Sequence, residues 1–238
     1  MKWLDRTALL LKDDQLKRLQ QAHVLVVGLG GVGSYAAEFL VRSGIGKLTI
    51  IDGDTIDETN INRQLPALQS TIGQYKTEVM AQRLKAINPD LDLKVISEFI
   101  APEKFAEIIK DNQFDYIIDA IDSVSPKIYL ILAAKRARVK IISAMGAGGK
   151  TDPSKVTVKD ISKTRDDFLA RVIRKRLKKH GIQKGVKCVF STELQNPDAL
   201  QMTDNTDFKK SHYGTISYMP ALFGLRAAAE VIRYLVKG

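Results

Sequence analysis

The stretch "VLVVGLGGVGSYAAEFL" (24–40) constrains this chain more than any other. An apolar run ends at Gly28, Gly30, Gly31 and Gly33 follow, and a helical pattern resumes at once. That order predicts strand, tight turn and helix. Glycines in such a turn let phosphate oxygens approach the helix N-terminus, whose partial positive charge favours them. The next apolar run, "KLTIID" (47–52), closes on Asp52, well placed for a ribose hydroxyl. Taken alone, the pattern favours NAD or FAD over ATP, and its bland alternative is a tight turn with no ligand.

The first 145 residues alternate strands with helices. Strands are expected at 23–27, 47–52, 93–99, 116–119 and 140–144, and helices near 32–43, 73–87, 102–111 and 125–137. Ser125 followed by Pro126 suits a helix start, because proline lacks only an N–H that would be unpaired there. The alternation implies an α/β fold, a Rossmann-like and mostly parallel sheet with helices on both faces. Further on come strands near 155–160 and 186–191, a helix at 164–180 and another at about 217–236. Residues 1–238 are thus expected to form a single domain, a core of about 5–150 and a smaller extension over 151–238. The polar segment 193–212 is expected to be a mobile loop.

No run approaches the roughly 18 apolar residues of a membrane span. The start, "MKWLDRTALLLKDDQ", has too short and too acidic an apolar patch for a signal peptide. The single cysteine, Cys188, excludes an internal disulfide and a Cys-rich zinc site, which fits a reducing cytoplasm. Flanked by valines, it is expected to pack as a small hydrophobe; an acyl-thioester role would need exposure and a lowered pKa. The formal net charge is +10, and residues 159–187 alone hold eleven Lys and Arg against three Asp, a net +8. Charge this concentrated points toward a polyanion.

The loop beginning "IIDGDTIDETNINRQ" (50–64) shifts the balance from dinucleotide to triphosphate. A hydride-transfer site needs no second set of cations, yet Asp54, Asn60, Arg63 and Gln64 follow Asp52, and Lys76 opens the next helix. Arg63 offers a planar fork for phosphate oxygens and Lys76 a compact point charge. "DAIDS" puts Asp119 and Asp122 at the carboxyl edge of the sheet, where a carboxylate beside phosphates suits Mg2+. Each residue alone is an ordinary loop side chain. The set asks for ATP.

"GLGGVG", "IID", "TNINRQ", "GQYK" and "DAIDS", in this order, resemble the ubiquitin-activating-type family that includes the molybdopterin- and thiamine-pathway adenylyltransferases. The resemblance implies that Gly28, Gly30, Gly31, Gly33, Asp52, Asp54 and Gln64 hold the nucleotide. It implies that Asn60, Arg63 and Lys76 hold the phosphates and that Asp122 holds Mg2+. It also gives Arg6, Arg63, Lys76 and Asp122 catalytic roles, with Arg6 reaching the partner's ATP across a homodimer interface. Sulfur-transfer proteins are among the partners such a resemblance implies.

Zinc-binding cysteine pairs, usual in sulfur-carrier adenylyltransferases, cannot form here. Instead 143–167, 186–193 and 214–224 are similar to a narrower branch, the tRNA threonylcarbamoyladenosine dehydratases. That resemblance implies adenylation of the threonyl carboxylate on a modified tRNA adenosine, then ring closure with loss of water. In helix 164–180, Thr164 and Asp167 have capping-box spacing, and Phe168, Leu169, Val172, Ile173 and Leu177 make an apolar stripe. Arg171, Arg174, Lys175 and Lys178 are then expected to face outward and contact tRNA phosphates, against the bland reading of a solvated face. Three further functions stay open: activation of a sulfur carrier's Gly-Gly tail, nucleotide-gated RNA binding without turnover, and a dehydrogenase.

Overall fold

The computed structural model describes residues 2–202 and 211–237. Seven strands form one sheet: β1 (His23–Val27), β2 (Lys47–Ile51), β3 (Asp92–Ile96), β4 (Tyr116–Asp119), β5 (Lys140–Ala144), β6 (Val156–Asp160) and β7 (Lys187–Ser191). Their order is β3-β2-β1-β4-β5-β7-β6. All neighbours are parallel except β6 and β7, which pair antiparallel with Val158 opposite Val189. Strands β1, β4 and β5 are buried along nearly their whole length, as parallel strands covered on both faces must be. The extension over 151–238 therefore supplies β6 and β7 to the sheet of the core.

One face carries α1 (Asp5–Gln21), α2 (Gly33–Arg42), α3 (Lys76–Ile87) and α7 (Tyr218–Leu235). Leu40, Val41, Met80, Leu84, Phe223 and Val231 lie buried there against Val24, Val26, Leu48 and Ile50. The other face carries α4 (Lys104–Asn112), α5 (Val124–Arg136) and α6 (Phe168–Lys179), with Phe105, Ile109, Ile131, Ile173 and Leu177 packed on Leu25, Ile117 and Cys188. No helix among the described residues is long and apolar enough to cross a membrane.

Several boundaries differ from expectation. Helix α5 begins at Val124 after Ser123, so Ser125 is already helical; Pro126 still falls in the first turn, where N–H groups have no helical partner. Helix α6 begins at Phe168: Asp167, not Thr164, is its cap and accepts the Ala170 N–H at 2.8 Å. Thr164 instead ends a short 3-10 turn, its hydroxyl donating to the Ile161 carbonyl. Phe168 is left exposed, with the Arg171 guanidinium 5.1 Å from its ring centroid. Helix α6 closes as expected at His180, with Gly181 at φ +76°.

The helix α1 is not evident in the sequence pattern. It buries Leu19, leaves Leu9 and Leu10 exposed, and breaks at Lys12 (φ 62°). Within the segment expected to be a loop, β8 (Leu200–Met202) pairs antiparallel with β9 (Ser211–Tyr213); residues 203–210 lie outside those described. Cys188 is fully buried, packed as a small hydrophobe, and burial pushes its thiol far above the usual range.

Candidate functional site

Chain order reverses between β1 and β4: β1 leads outward to β2 and β3, then the chain returns to β4 and β5 on the other side. Ligands of open α/β sheets bind in the crevice beyond such a reversal. Here the glycine turn leaves β1 and meets the loop leaving β4. Gly28 has φ +89°, and a Cβ there would lie 2.8 Å from the Ala120 carbonyl oxygen. A Cβ on Gly33 would fall 1.8 Å from the Gly28 carbonyl oxygen. The turn closes this tightly only with glycine at these two positions.

Asp52 ends up beneath the turn. Its carboxylate accepts the Leu29 N–H at 2.6 Å and the Asp54 N–H at 2.8 Å. Burial pushes its pKa up, and Lys76 with the two N–H bonds opposes that rise. Lys76 is buried, its ammonium 2.7 Å from Asp54. Asn60 is buried in a short turn, where its Oδ1 accepts the Asp57 N–H at 3.3 Å. Next to it, Arg63 Nη1 donates to the Thr59 carbonyl and to Asn62 Oδ1, both at 2.8 Å. Desolvation lowers the Arg63 pKa and the charge of Asp122 counters it, so the two lie within electrostatic reach of each other. An arginine stays protonated under either influence.

At the end of β1, then, Asp52 and Gln64 meet the turn of Gly28, Gly30, Gly31 and Gly33, and Lys76 pairs with Asp54 beside Asp52. Asn60 belongs to the turn that carries Arg63 and Gln64, and Asp122 lies within electrostatic reach of Arg63. Two features beside the glycine turn suit the approach of a ligand. Gln64 Oε1 is buried with no hydrogen-bond partner among the described residues, an acceptor that a ligand hydroxyl or amine would satisfy. Beside it, a Cβ on Gly30 would find nothing nearer than the Gln64 side chain at 3.8 Å. No group of three or more His, Cys, Asp and Glu capable of holding a metal occurs among the described residues. One carboxylate plus substrate phosphates is the way Mg2+ is commonly held, and Asp122 fits that role.

Other expected residues lie elsewhere. Arg6 is exposed on α1. Arg171, Lys175 and Lys178 are exposed on α6, but Arg174 is half-buried and donates to the Thr164 carbonyl at 2.8 Å and hydroxyl at 2.5 Å. Arg174 therefore braces the helix start and does not point outward with the other three. Asp119 is withdrawn from the crevice: fully buried, it pairs with Lys127 at 2.8 Å and accepts the Ser143 hydroxyl at 2.6 Å.

Lys127 and a second buried lysine, Lys150, paired at 2.7 Å with Asp167, escape the sequence reading. A lysine in an amphipathic pattern reads as solvated. The only sequence signal for Lys127 is its place directly before the apolar "IYLILAA", where a surface charge has no room.

A family model described as the ThiF family matches residues 4–238. The chain belongs to the ThiF family. Among its relatives, the tRNA threonylcarbamoyladenosine dehydratase of Haemophilus influenzae is 44% identical, covering 94% of this chain and 89% of that one. The protein of the same name from Bacillus subtilis is 38% identical, covering 98% of this chain and 94% of that one. Among solved structures, E. coli tRNA N6-threonylcarbamoyladenosine dehydratase in complex with ATP superposes with a TM-score of 0.90 at 38% identity, over 99% of this chain and 94% of that one. Within the ThiF family, then, this chain sits with the tRNA-modifying branch along nearly its full length.

Proposed function

We propose that the protein is an ATP-dependent tRNA threonylcarbamoyladenosine dehydratase. The observation that carries this is the convergence of Arg63, Lys76 and Asp122 on one crevice with Asp52, in a chain so closely related to that branch. ATP lies with its ribose at Asp52 and its phosphates along the glycine turn toward Arg63 and Lys76. Mg2+, when bound, offsets phosphate charge beside Asp122. A carboxylate oxygen of the threonyl group attacks the α-phosphorus, and the bond to the β,γ-phosphates breaks, releasing pyrophosphate. Arg63 and Lys76 stabilise the charge that builds on the phosphate oxygens, preorganised by Thr59, Asn62 and Asp54. A nucleophilic atom of the same modification then captures the acyl carbon, AMP leaves with the carboxylate oxygen, and one proton is lost. The sum is loss of water.

The protein works as a homodimer with Arg6 supplied in trans. Trp3, Leu9 and Leu10 support this, being large apolar side chains exposed on the same N-terminal segment as Arg6. Arg171, Lys175 and Lys178 hold tRNA phosphates. Sulfur-transfer proteins are further partners in this reading. The alternative, activation of a sulfur carrier's Gly-Gly tail, would use the same crevice. Mass spectrometry of nucleosides after incubating modified tRNA with ATP, Mg2+ and enzyme decides between them: a product lighter by one water is expected. Pyrophosphate release driven by a Gly-Gly tail and not by modified tRNA would overturn the proposal.

A further inference from the structure

Asn62 belongs to the loop that builds the phosphate cluster, yet no phosphate role falls to it. Its Oδ1 accepts from Arg63 Nη1 at 2.8 Å, and its Nδ2 donates to the Thr215 carbonyl at 2.9 Å. Asn62 and Thr215 both line a cavity of about 580 Å³, bounded also by Gly149–Thr151, Glu193, Leu194, Asn196, Ala199, Gly214, Ile216 and Ser217. One asparagine side chain therefore separates the phosphate cluster from this cavity.

Two charged side chains, Lys150 and Glu193, line the cavity, and both are engaged by neighbours. The Lys150 ammonium is fully buried and held by Asp167. The Glu193 carboxylate is occupied by the N–H groups of Thr151 and Asp152 and the Thr151 hydroxyl. The rest of the lining carries the amides of Asn62 and Asn196, the Ser217 hydroxyl, and exposed apolar side chains from Leu194 and Ile216. Among the described residues of the lining the one cation is Lys150, which Asp167 already holds. A flat, neutral ring with polar edges finds apolar faces and hydrogen-bonding partners, and the volume is ample for a nucleoside.

We propose that this cavity receives the modified adenine nucleoside, turned out of the tRNA loop, with its carboxylate directed past Asn62 to the nucleotide phosphates. This rests on the function proposed above and adds where the acceptor sits. The tie between Lys150 and Asp167 supports it, since Asp167 caps the basic helix α6. The cavity floor and the helix that would carry the tRNA backbone are thereby fixed to each other. Enzymes that act on one base place it in a fitted pocket outside the stack.

The test uses the full-length enzyme with two variants in the cavity wall, Ala199→Trp to fill it and Ile216→Asp to spoil its apolar face. Pyrophosphate release with modified tRNA, ATP affinity by calorimetry and thermal unfolding are measured for each. The expected result is a loss in kcat/KM for tRNA on the order of tenfold or more, the scale at which a misfitted pocket discriminates. ATP affinity and unfolding temperature should match wild type. A free N6-threonylcarbamoyladenosine nucleoside should compete with tRNA in wild type and fail to compete in Ala199→Trp. If both variants process modified tRNA like wild type, the cavity proposal falls while the proposed function stands. If wild type itself releases no pyrophosphate with modified tRNA, the proposed function falls and takes the cavity proposal with it. Unfolding of one variant leaves the other to decide; weakened ATP binding in both would place the cavity within the nucleotide site and overturn the assignment.

Discussion

Lys127 and Asp119 form an ion pair of 2.8 Å with both side chains fully excluded from solvent. The Lys127 ammonium also donates to the Ser143 hydroxyl and the Ala144 carbonyl, and Asp119 accepts the Ile121 N–H at 3.1 Å. The pair thereby fixes the loop that presents Asp122. Lys127→Met should cost about 3–5 kcal/mol, because it strands a buried carboxylate. Replacing both partners with apolar residues should cost far less. Urea unfolding of the single and double variants checks this, and equal losses in the two would refute it.

Arg63→Ala and Lys76→Ala should each slow pyrophosphate release by about 10²–10³, by analogy with the loss of one oxyanion donor. ATP should bind and NAD should not. Single-turnover assays and calorimetry measure both; micromolar NAD binding without ATP binding would sink the assignment.

Mixed dimers give a sharper result. Combining Arg6→Ala chains with Asp122→Ala chains should restore part of the activity each lacks, since one of the two sites in a mixed dimer has both groups. Full activity from a sedimenting monomer would rule out a trans arginine.

Reversing Arg171, Lys175 and Lys178 to glutamate should weaken tRNA binding and flatten its salt dependence. Every phosphate that goes unneutralised lowers the log–log slope by roughly 0.7–0.9. Arg174→Ala should instead lower stability and barely change that slope, because its guanidinium is bonded to Thr164. Filter binding at about 50–200 mM salt separates the two effects.

Acid should act on the cavity floor through Glu193. Burial pushes its pKa up, but bonds from Thr151 and Asp152 outweigh this and hold it below the usual glutamate value. A depressed folded pKa contributes stability above the unfolded value, about 4.3, that is lost as pH falls through the folded one. Glu193→Gln should lower stability at neutral pH and make its decline below that range shallower. Parallel acid-unfolding curves for variant and wild type would contradict this.

The crevice was legible because its determinants are local. Gly28 to Gly33, Asp52, and Asn60 to Gln64 each lie within a few residues of a strand end, and strand periodicity fixes where those ends fall. Burial of charge was not legible. Lys127 and Lys150 meet partners 8 and 17 residues away, across helix and sheet, and composition cannot distinguish such a lysine from a solvated one. The inward bond of Arg174 is hidden for the same reason: helical spacing gives its face, but only the folded 161–164 turn brings Thr164 to it. Helix α1 has no legible pattern because Leu9 and Leu10 face outward, contrary to a helix that buries one side.

Among the glycines of the turn, Gly28, Gly31 and Gly33 are crowded by the protein itself, with first approaches at 2.8, 3.0 and 1.8 Å. Gly30 alone has room, its nearest neighbour 3.8 Å away. A methyl group added there is invisible to the empty protein and felt only by whatever enters. Gly30→Ala is thus a built-in steric gauge: the chain should fold and melt unchanged, and any change in binding measures how closely the guest approaches the backbone.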